Sequence, residues 1–258
     1  MKLCFSTLGC HDYSLEEILS LAKNHGIDAL EIRGISGELD NKKITCFSKE
    51  EASETKKAFA RLGVRPLVLG TSCMFHDSVK YEDAISEGLA ALKIASRIGF
   101  SAIRVFGDRI EGDEEECLAR IANGILALCK EAKSLDVSVF LEVHGEINTV
   151  ERIGRIVAAC SDSPAFGLIW DVRHTRNTCD PKEFYEHFAP YIRHVHFKDI
   201  KGTEHVLPGD GALPLKGIAE MMLEGGYDGH FSLEWERKWH PELPPIEEAL
   251  DAYTSLLK

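Results

Sequence analysis

Short apolar runs alternate along the chain with longer segments in which apolar positions recur at helical spacing. The runs begin near residues 1, 29, 64, 102, 138, 166, 192 and 230, and a predicted helix follows each of them. Glycines and other turn residues separate the two kinds of segment. The pattern therefore predicts eight strand–helix units with a repeat of roughly 30 residues.

Capping residues set the start of several predicted helices. Ser14 and Glu17 form a capping box for the first helix, which ends near Gly26, and Asp113 opens an acidic first turn for the fourth. The predicted helices span about residues 14–25, 49–62, 81–98, 113–135, 149–160, 181–188, 215–224 and 246–257. Residues 201–211 are rich in turn residues and are predicted to form a loop.

The regular alternation predicts the fold class. Eight strand–helix units joined by right-handed crossovers indicate an α/β protein, a (β/α)8 TIM barrel, in which residues 1–258 form a single domain. An open, doubly wound sheet is the alternative. That fold commonly has a glycine-rich phosphate turn after the first strand, and residues 8–11 (Leu-Gly-Cys-His) are not such a turn.

Four of the later strands carry ionisable residues where a core is expected. Strand periodicity places His194, His196 and Lys198 on one face of the seventh strand. Glu142, Asp171 and Glu234 each lie near the carboxyl end of an apolar run, where parallel sheets present catalytic groups. Because strands five to eight are neighbours in a barrel, we expect Glu142, Asp171, His196 and Glu234 to converge.

Three carboxylates at one point repel one another by several kcal/mol unless they are protonated or bind a cation. A divalent metal therefore explains the set of Glu142, Asp171, His196 and Glu234. Oxygen and imidazole donors without a thiolate favour Mn2+, followed by Mg2+, Co2+ or Zn2+. A structural hydrogen-bond network at the barrel mouth is the alternative interpretation.

Composition narrows the partners and the location. Lys and Arg total 30 against 42 Asp and Glu, a net charge of -12, and no basic stripe is present, which disfavours nucleic acid. No apolar run approaches the roughly 20 residues that span a membrane, and the apolar N-terminus is too short for a signal peptide, which predicts a cytoplasmic protein. The eight cysteines form no C-x-x-C pair and are expected to be reduced, buried thiols.

The motifs, taken together, resemble a known family. Glu142 lies on strand five, Asp171 and His174 on and after strand six, residues 196–199 on strand seven, residues 209–211 after it, and Glu234 on strand eight. This order resembles the xylose isomerase-like barrels, and within them most closely the sugar-phosphate isomerase/epimerase branch.

The resemblance implies roles for individual residues. Glu142 and Glu234 would both bind the metal and face opposite sides of the substrate carbon, so that one removes a proton and the other returns it, through a metal-stabilised enediolate. His174 matches a position that contacts substrate oxygen. Lys198 can supply a further positive donor. Arg104 points inward on strand four by alternation, where substrate binding and an internal ion pair are equally compatible.

We therefore predict a divalent-metal-dependent sugar or sugar-phosphate isomerase or epimerase. The form of residues 198–201 (Lys-Asp-Ile-Lys) is shared by isomerases, epimerases and dehydratases, so a dehydratase of a keto-polyol such as an inosose is the first alternative. A non-catalytic sugar-binding barrel is the second. The endonuclease of the same fold is disfavoured because residues 209–211 lack a following histidine. The expected partner is a small sugar or sugar phosphate, without nucleic acid or membrane, and a homo-oligomer remains open.

Overall fold

The computed structural model describes all 258 residues and contains a closed barrel of eight parallel strands. The order around the barrel is β1-β10-β7-β6-β5-β4-β3-β2. The barrel strands are β1 (Lys2–Ser6), β2 (Ala29–Ile32), β3 (Arg65–Met74), β4 (Ala102–Phe106), β5 (Ser138–Glu142), β6 (Phe166–Asp171), β7 (Ile192–Phe197) and β10 (His230–Leu233). The predicted α/β class and (β/α)8 barrel are confirmed.

Nine helices accompany the strands. They are α1 (Leu15–Asn24), α2 (Ala52–Leu62), α3 (Tyr81–Ile98), α4 (Glu114–Leu135), α5 (Val150–Cys160), α6 (Val172–Thr175), α7 (Pro181–Phe188), α8 (Leu215–Glu224) and α9 (Ile246–Leu257). The predicted capping box of Ser14 and Glu17 is present, Gly26 has the left-handed φ of 69°, and Asp113 caps α4 by accepting the Glu116 N–H. These local signals therefore predicted the helix ends correctly.

The chain divides into two compact units. The first unit consists of residues 1–67 and 194–258. Within it, β1 pairs with β2 and β10, and β10 pairs with β7 in a register that sets Ser232 opposite His196. The second unit, residues 68–193, contains β4 between β3 and β5, with β6 next to β5. The assignment of residues 1–258 to one domain stays a prediction.

Three local predictions need correction. The predicted loop at 201–211 begins with a hairpin of β8 (Asp199–Lys201) and β9 (Glu204–Val206), because Gly202, with a φ of 66°, permits a tight turn. The apolar pattern predicts a first strand over residues 1–9, but the strand ends at Ser6 and residues 7–10 form a 3-10 turn. The ninth helix, α6, was not predicted; Asp171 caps it by accepting the Arg173 N–H at 2.9 Å.

The apolar faces of the strands form the core. Trp170 and Trp235 have no exposed surface, and six of the eight cysteines are buried. Full burial of a large apolar side chain contributes roughly 1.5–3 kcal/mol, so these positions stabilise the strands that carry the polar residues described below. No helix combines the length and the apolar character that crossing a membrane requires.

Candidate functional site

Strands β4 and β5 of the second unit place an arginine against a predicted metal ligand. Arg104 Nη1 donates to Glu142 Oε2 at 3.0 Å, and both side chains are buried, with 4% and 1% of their surface exposed. The guanidinium carbon lies 4.0 Å from the centroid of the Phe106 ring. An internal ion pair, one of the two roles foreseen for Arg104, is therefore present, and substrate binding by Arg104 stays a prediction.

Asp171, at the end of β6, begins a series of polar contacts in the same unit. His174 Nε2 lies 3.6 Å from Asp171 Oδ2, and the centroids of the His174 and His144 rings are 4.3 Å apart. His144 Nδ1 in turn lies 2.8 Å from Asp108 Oδ1. The hydrogen bond to His144 lowers the pKa of Asp108 by more than burial raises it. The predicted substrate residue His174 is thus joined to a buried carboxylate and a second histidine.

A tight turn fixes the backbone of Asp108, the residue that contacts His144. Asp108 has a φ of 69°, and the Glu146 N–H donates to its carbonyl oxygen at 2.6 Å. Gly145 has a φ of 59°, and a Cβ at this position would overlap the Asp108 carbonyl. Only glycine fits both the backbone conformation and the close approach. The turn is therefore a fixed support for the Asp108–His144 pair.

In the first unit, Glu31 on β2 accepts from two histidines of β7. Glu31 Oε2 lies 2.7 Å from His196 Nε2 and 3.3 Å from His194 Nε2, and all three side chains are fully buried. Burial alone would raise the pKa of Glu31. In their protonated forms His196 and His194 favour the carboxylate through charge and hydrogen bonds, which outweigh burial and hold the pKa of Glu31 well below its usual value.

The Glu31 contact determines how His196 is presented. His196 Nε2 faces Glu31, and His196 Nδ1 lies 3.5 Å from Glu234 Oε2. When Glu31 accepts the Nε2 proton, the Nδ1 lone pair points toward Glu234. A carboxylate that fixes the histidine tautomer in this way is the usual companion of a metal-binding imidazole. The arrangement within this unit therefore suits His196 as a ligand through Nδ1.

Lys198 follows β7 and contacts two acids that follow β10. Its fully buried ammonium group donates to Glu234 and, at 2.7 Å, to Glu236 Oε1. Burial raises the pKa of Glu236, but the Lys198 charge and the hydrogen bonds from His205 and Lys198 hold it well below its usual value. Lys198 thus stabilises two carboxylates in their charged form, and its contact with substrate stays a prediction.

Asp199 organises the segment between β7 and α8. Its carboxylate accepts the backbone N–H groups of Ile200, Gly209, Gly211 and Leu213 at 2.9 to 3.2 Å. A Cβ at Gly211 would overlap this carboxylate, so the close approach requires glycine. The close packing of the loop backbone against the Asp199 carboxylate therefore explains the family motif around residues 209–211.

Sequence reasoning missed several polar residues of this region. Alternation predicts an inward Glu31 and places His194 on the same strand face as His196, and His144 is predicted to support the site or to lie in solvent at the rim. The pattern did not indicate Asp108, Glu236, His205 or His240 as members of polar clusters. Glu236 follows Glu234 by two residues, so the same alternation was the available signal for Glu236.

Comparison with known proteins then identifies the family. Residues 19–256 match the family described as "Xylose isomerase-like TIM barrel". The chain belongs to this family. The resemblance inferred from the C-terminal motifs is confirmed, and the match extends over nearly the whole chain.

Curated relatives within this family are named as enzymes of three kinds. An inosose dehydratase of Lacticaseibacillus casei is 27% identical over 170 residues, which cover 57% of this chain and 56% of the relative. A fructoselysine 3-epimerase of Escherichia coli O157:H7 is 24% identical over 54% of this chain and 53% of the relative. An inosose isomerase of Halalkalibacterium halodurans is 25% identical, and the match covers 97% of this chain and 93% of the relative. The chain spans about half the length of the first two relatives.

Solved structures share the fold across the chain. The probable 3-DHS dehydratase AsbF from Bacillus anthracis superposes with a TM-score of 0.83 at 17% identity, covering 99% of this chain and 98% of that protein. The IOLI protein, whose structure holds a zinc atom, superposes with a TM-score of 0.82 at 21% identity, covering 99% of this chain and 96% of that protein. At these identities the similarity concerns the fold alone.

Proposed function

We propose that this protein is a divalent-metal-dependent enzyme that transfers a proton next to the carbonyl group of a polyhydroxylated ketone, as a sugar or sugar-phosphate isomerase or epimerase. One observation carries the proposal: each unit contains two buried metal-binding side chains at or just beyond the carboxyl ends of its strands, Glu142 and Asp171 in the second unit and His196 and Glu234 in the first. These four residues are the proposed metal site.

The donor set fits a divalent cation. Two carboxylates about 4 Å apart repel by roughly 4 kcal/mol at an effective dielectric near 20, and three carboxylates around one point would form three such pairs. Arg104 and Lys198 offset part of that repulsion, and a dication would offset the rest. Three carboxylates and one imidazole suit Mn2+, with Mg2+, Co2+ and Zn2+ as alternatives. When bound, the cation would supply Lewis-acid polarisation of the substrate carbonyl.

The protein's own residues would hold and move the proton. A carboxylate acts as a base only in its charged form, and a positive neighbour favours that form. Arg104 donates to Glu142, and Lys198 donates to Glu234. Glu142 and Glu234 are therefore the proposed proton-transfer pair.

The substrate assignment rests on the relatives. Enzymes named for inososes and for fructoselysine are similar to this chain, and both names describe polyhydroxylated carbonyl compounds. His174 and Lys198 are the proposed donors to substrate oxygen, with Arg104 as a third. A small-molecule partner and a cytoplasmic location remain part of the same proposal.

A dehydratase is the second candidate. The inosose dehydratases among the relatives favour it, and so does the buried ammonium group of Lys198 beside Glu234. An ammonium group in that position can protonate a departing hydroxyl after the proton next to the carbonyl has been removed. The two candidates differ only in this last step.

The test is a screen of ketoses, ketose phosphates and inososes in D2O with Mn2+, read by deuterium incorporation and product mass. We expect exchange next to the carbonyl in the wild type and none in Glu142→Gln or Glu234→Gln, with the exposed Glu248→Gln as a control that retains it. A product lighter by one water identifies the dehydratase. Exchange that persists in both acid variants, or sugar binding without any exchange, contradicts the proposal.

A further inference from the structure

A separate group of metal-binding side chains lies within the first unit. His205 belongs to β9, and Glu236 and His240 belong to the segment after β10; we call these three the His–Glu–His cluster. A ligand atom from each lies within 4.8 Å of the others. None of the three belongs to the four-residue set described above.

Local backbone structure explains why Glu236 and His240 share a face. The His240 N–H donates to the Glu236 carbonyl at 3.0 Å, which closes one helical turn. Residues four apart on such a turn point to the same side. The β8–β9 hairpin, with Ile200 opposite His205, supplies the third side chain. The cluster is therefore built by two short elements that the fold holds in place.

One of the two distances within the cluster is close to that between ligands of one ion, and the other must shorten by about 0.6 Å when an ion binds. Zinc bonds of about 2.0–2.1 Å place tetrahedral ligands roughly 3.3–3.4 Å apart. His205 Nε2 lies 3.2 Å and His240 Nε2 lies 4.0 Å from the same oxygen, Glu236 Oε2. The Glu31–His196 distance of 2.7 Å is too short for two ligands of one ion and is that of a hydrogen bond.

The surrounding groups orient the two rings. His240 Nδ1 lies 3.3 Å from Glu242 Oε1, so Glu242 can accept the Nδ1 proton and leave Nε2 as the ligand atom. His205 Nε2 faces Glu236 and its Nδ1 has no hydrogen-bond partner, so metal binding through Nε2 would move the ring proton to Nδ1 and replace the Nε2–H bond to Glu236. The His205 side chain is 5% exposed and that of His240 is 41% exposed. One ligand is thus fixed, and the other leaves a path for the ion.

Glu236 divides its two oxygens between different partners. Oε1 accepts from Lys198, whereas Oε2 faces the two histidines. An ion on the Oε2 side therefore leaves the Lys198 contact in place, although the positive charge of Lys198 weakens its binding. Two imidazoles and one carboxylate with an open position form the donor set of many zinc sites.

We propose that His205, Glu236 and His240 bind a second divalent transition-metal ion, with Zn2+ the best match. The site shares Glu236 with the ammonium group of Lys198, so the ion would draw charge from the carboxylate that also contacts this lysine. Occupancy of the cluster is thereby coupled to the residue proposed to contact substrate.

The test measures metal stoichiometry in the chelator-treated full chain. The protein is titrated with Zn2+ by calorimetry and its bound metal is counted by mass spectrometry, and Co2+ absorption reports the ligand geometry. We expect two ions per chain in the wild type and one in His240→Ala and in the double variant His205→Ala/His240→Ala. The exposed His187→Ala is the matched control and should retain both ions.

A second variant separates this proposal from the four-residue site. Asp171→Ala should lose one ion and keep the ion of the cluster, together with its Co2+ spectrum. The proposal is overturned when His240→Ala and the double variant bind as many ions as the wild type with unchanged affinity. It is also overturned when the wild type binds one ion that Asp171→Ala removes. His240→Ala changes an exposed residue, so the test does not depend on the buried His205 substitution folding.

Discussion

Glu31→Gln is the most direct probe of the proposed metal site because it changes a group that does not itself belong to the ligand set. The carboxylate accepts from His196 Nε2 at 2.7 Å and from His194 Nε2 at 3.3 Å. Glutamine keeps the shape and one acceptor oxygen but removes the negative charge. His196 then becomes a weaker electron donor, and its tautomer is held less firmly.

The expected loss follows from how such supporting residues act in other metal sites. Removing a carboxylate that accepts from a metal-binding histidine weakens metal affinity by about 10- to 100-fold. That range corresponds to about 1.4–2.8 kcal/mol of binding free energy. Because Glu142, Asp171 and Glu234 remain, we expect weaker binding with unchanged stoichiometry at the four-residue site.

The assay is a calorimetric titration of the chelator-treated protein with Mn2+, with circular dichroism to confirm folding. Glu17→Gln is the control: it makes the same Glu-to-Gln change in the α1 capping box, where glutamine also fits, so the protein should stay folded with an unchanged Mn2+ Kd. A folded Glu31→Gln protein with the wild-type Mn2+ Kd would refute the idea that Glu31 orients His196 toward a metal.

Three further predictions concern stability. Arg104→Met leaves Glu142 buried beside an apolar side chain, so the free energy of unfolding, measured in urea, should fall by about 3–5 kcal/mol. Adding Glu142→Gln should recover part of this loss. A loss below about 1 kcal/mol would contradict the ion-pair argument. Burial lowers the pKa of His230 to about 4, so the unfolded chain binds more protons below pH 6.5, and stability should fall by about 2–3 kcal/mol as the pH drops from 6.5 to 4. His230→Asn should flatten that dependence in urea titrations, and an unchanged slope would refute it. Asp199→Asn weakens four charge-assisted hydrogen bonds to backbone N–H groups, so limited proteolysis should cut the segment between β7 and α8 at least about tenfold faster. An unchanged rate would contradict the idea that Asp199 holds this segment in place.

The barrel could be predicted from the sequence because its signals are local. Apolar runs, capping residues such as Ser14 and Asp113, and helix-ending glycines act within a few residues of one another. The β8–β9 hairpin could not be found with the same certainty, since each of its strands has three residues. Gly202-Thr203 between two short alternating segments was the available signal.

The candidate site was predicted as residues but not as contacts. Alternation identified His196 as inward, yet its partner Glu31 is 165 positions away, and nothing local indicates that pairing. The ambiguity of Arg104 had the same origin, because an inward arginine is compatible with a substrate or with a nearby acid until the neighbouring strand is known. His205 and His240 lie in segments without a regular period, so only the folded chain brings them to Glu236.

The four amide bonds of Asp199 have an evolutionary consequence. Because a single carboxylate gathers the chain between β7 and α8, substitutions and length changes between the anchored amides can accumulate without disturbing the strand that carries His196. Related barrels can therefore differ in this segment while the strand that carries His196 keeps its position. The variety of reactions named among the relatives is consistent with that freedom.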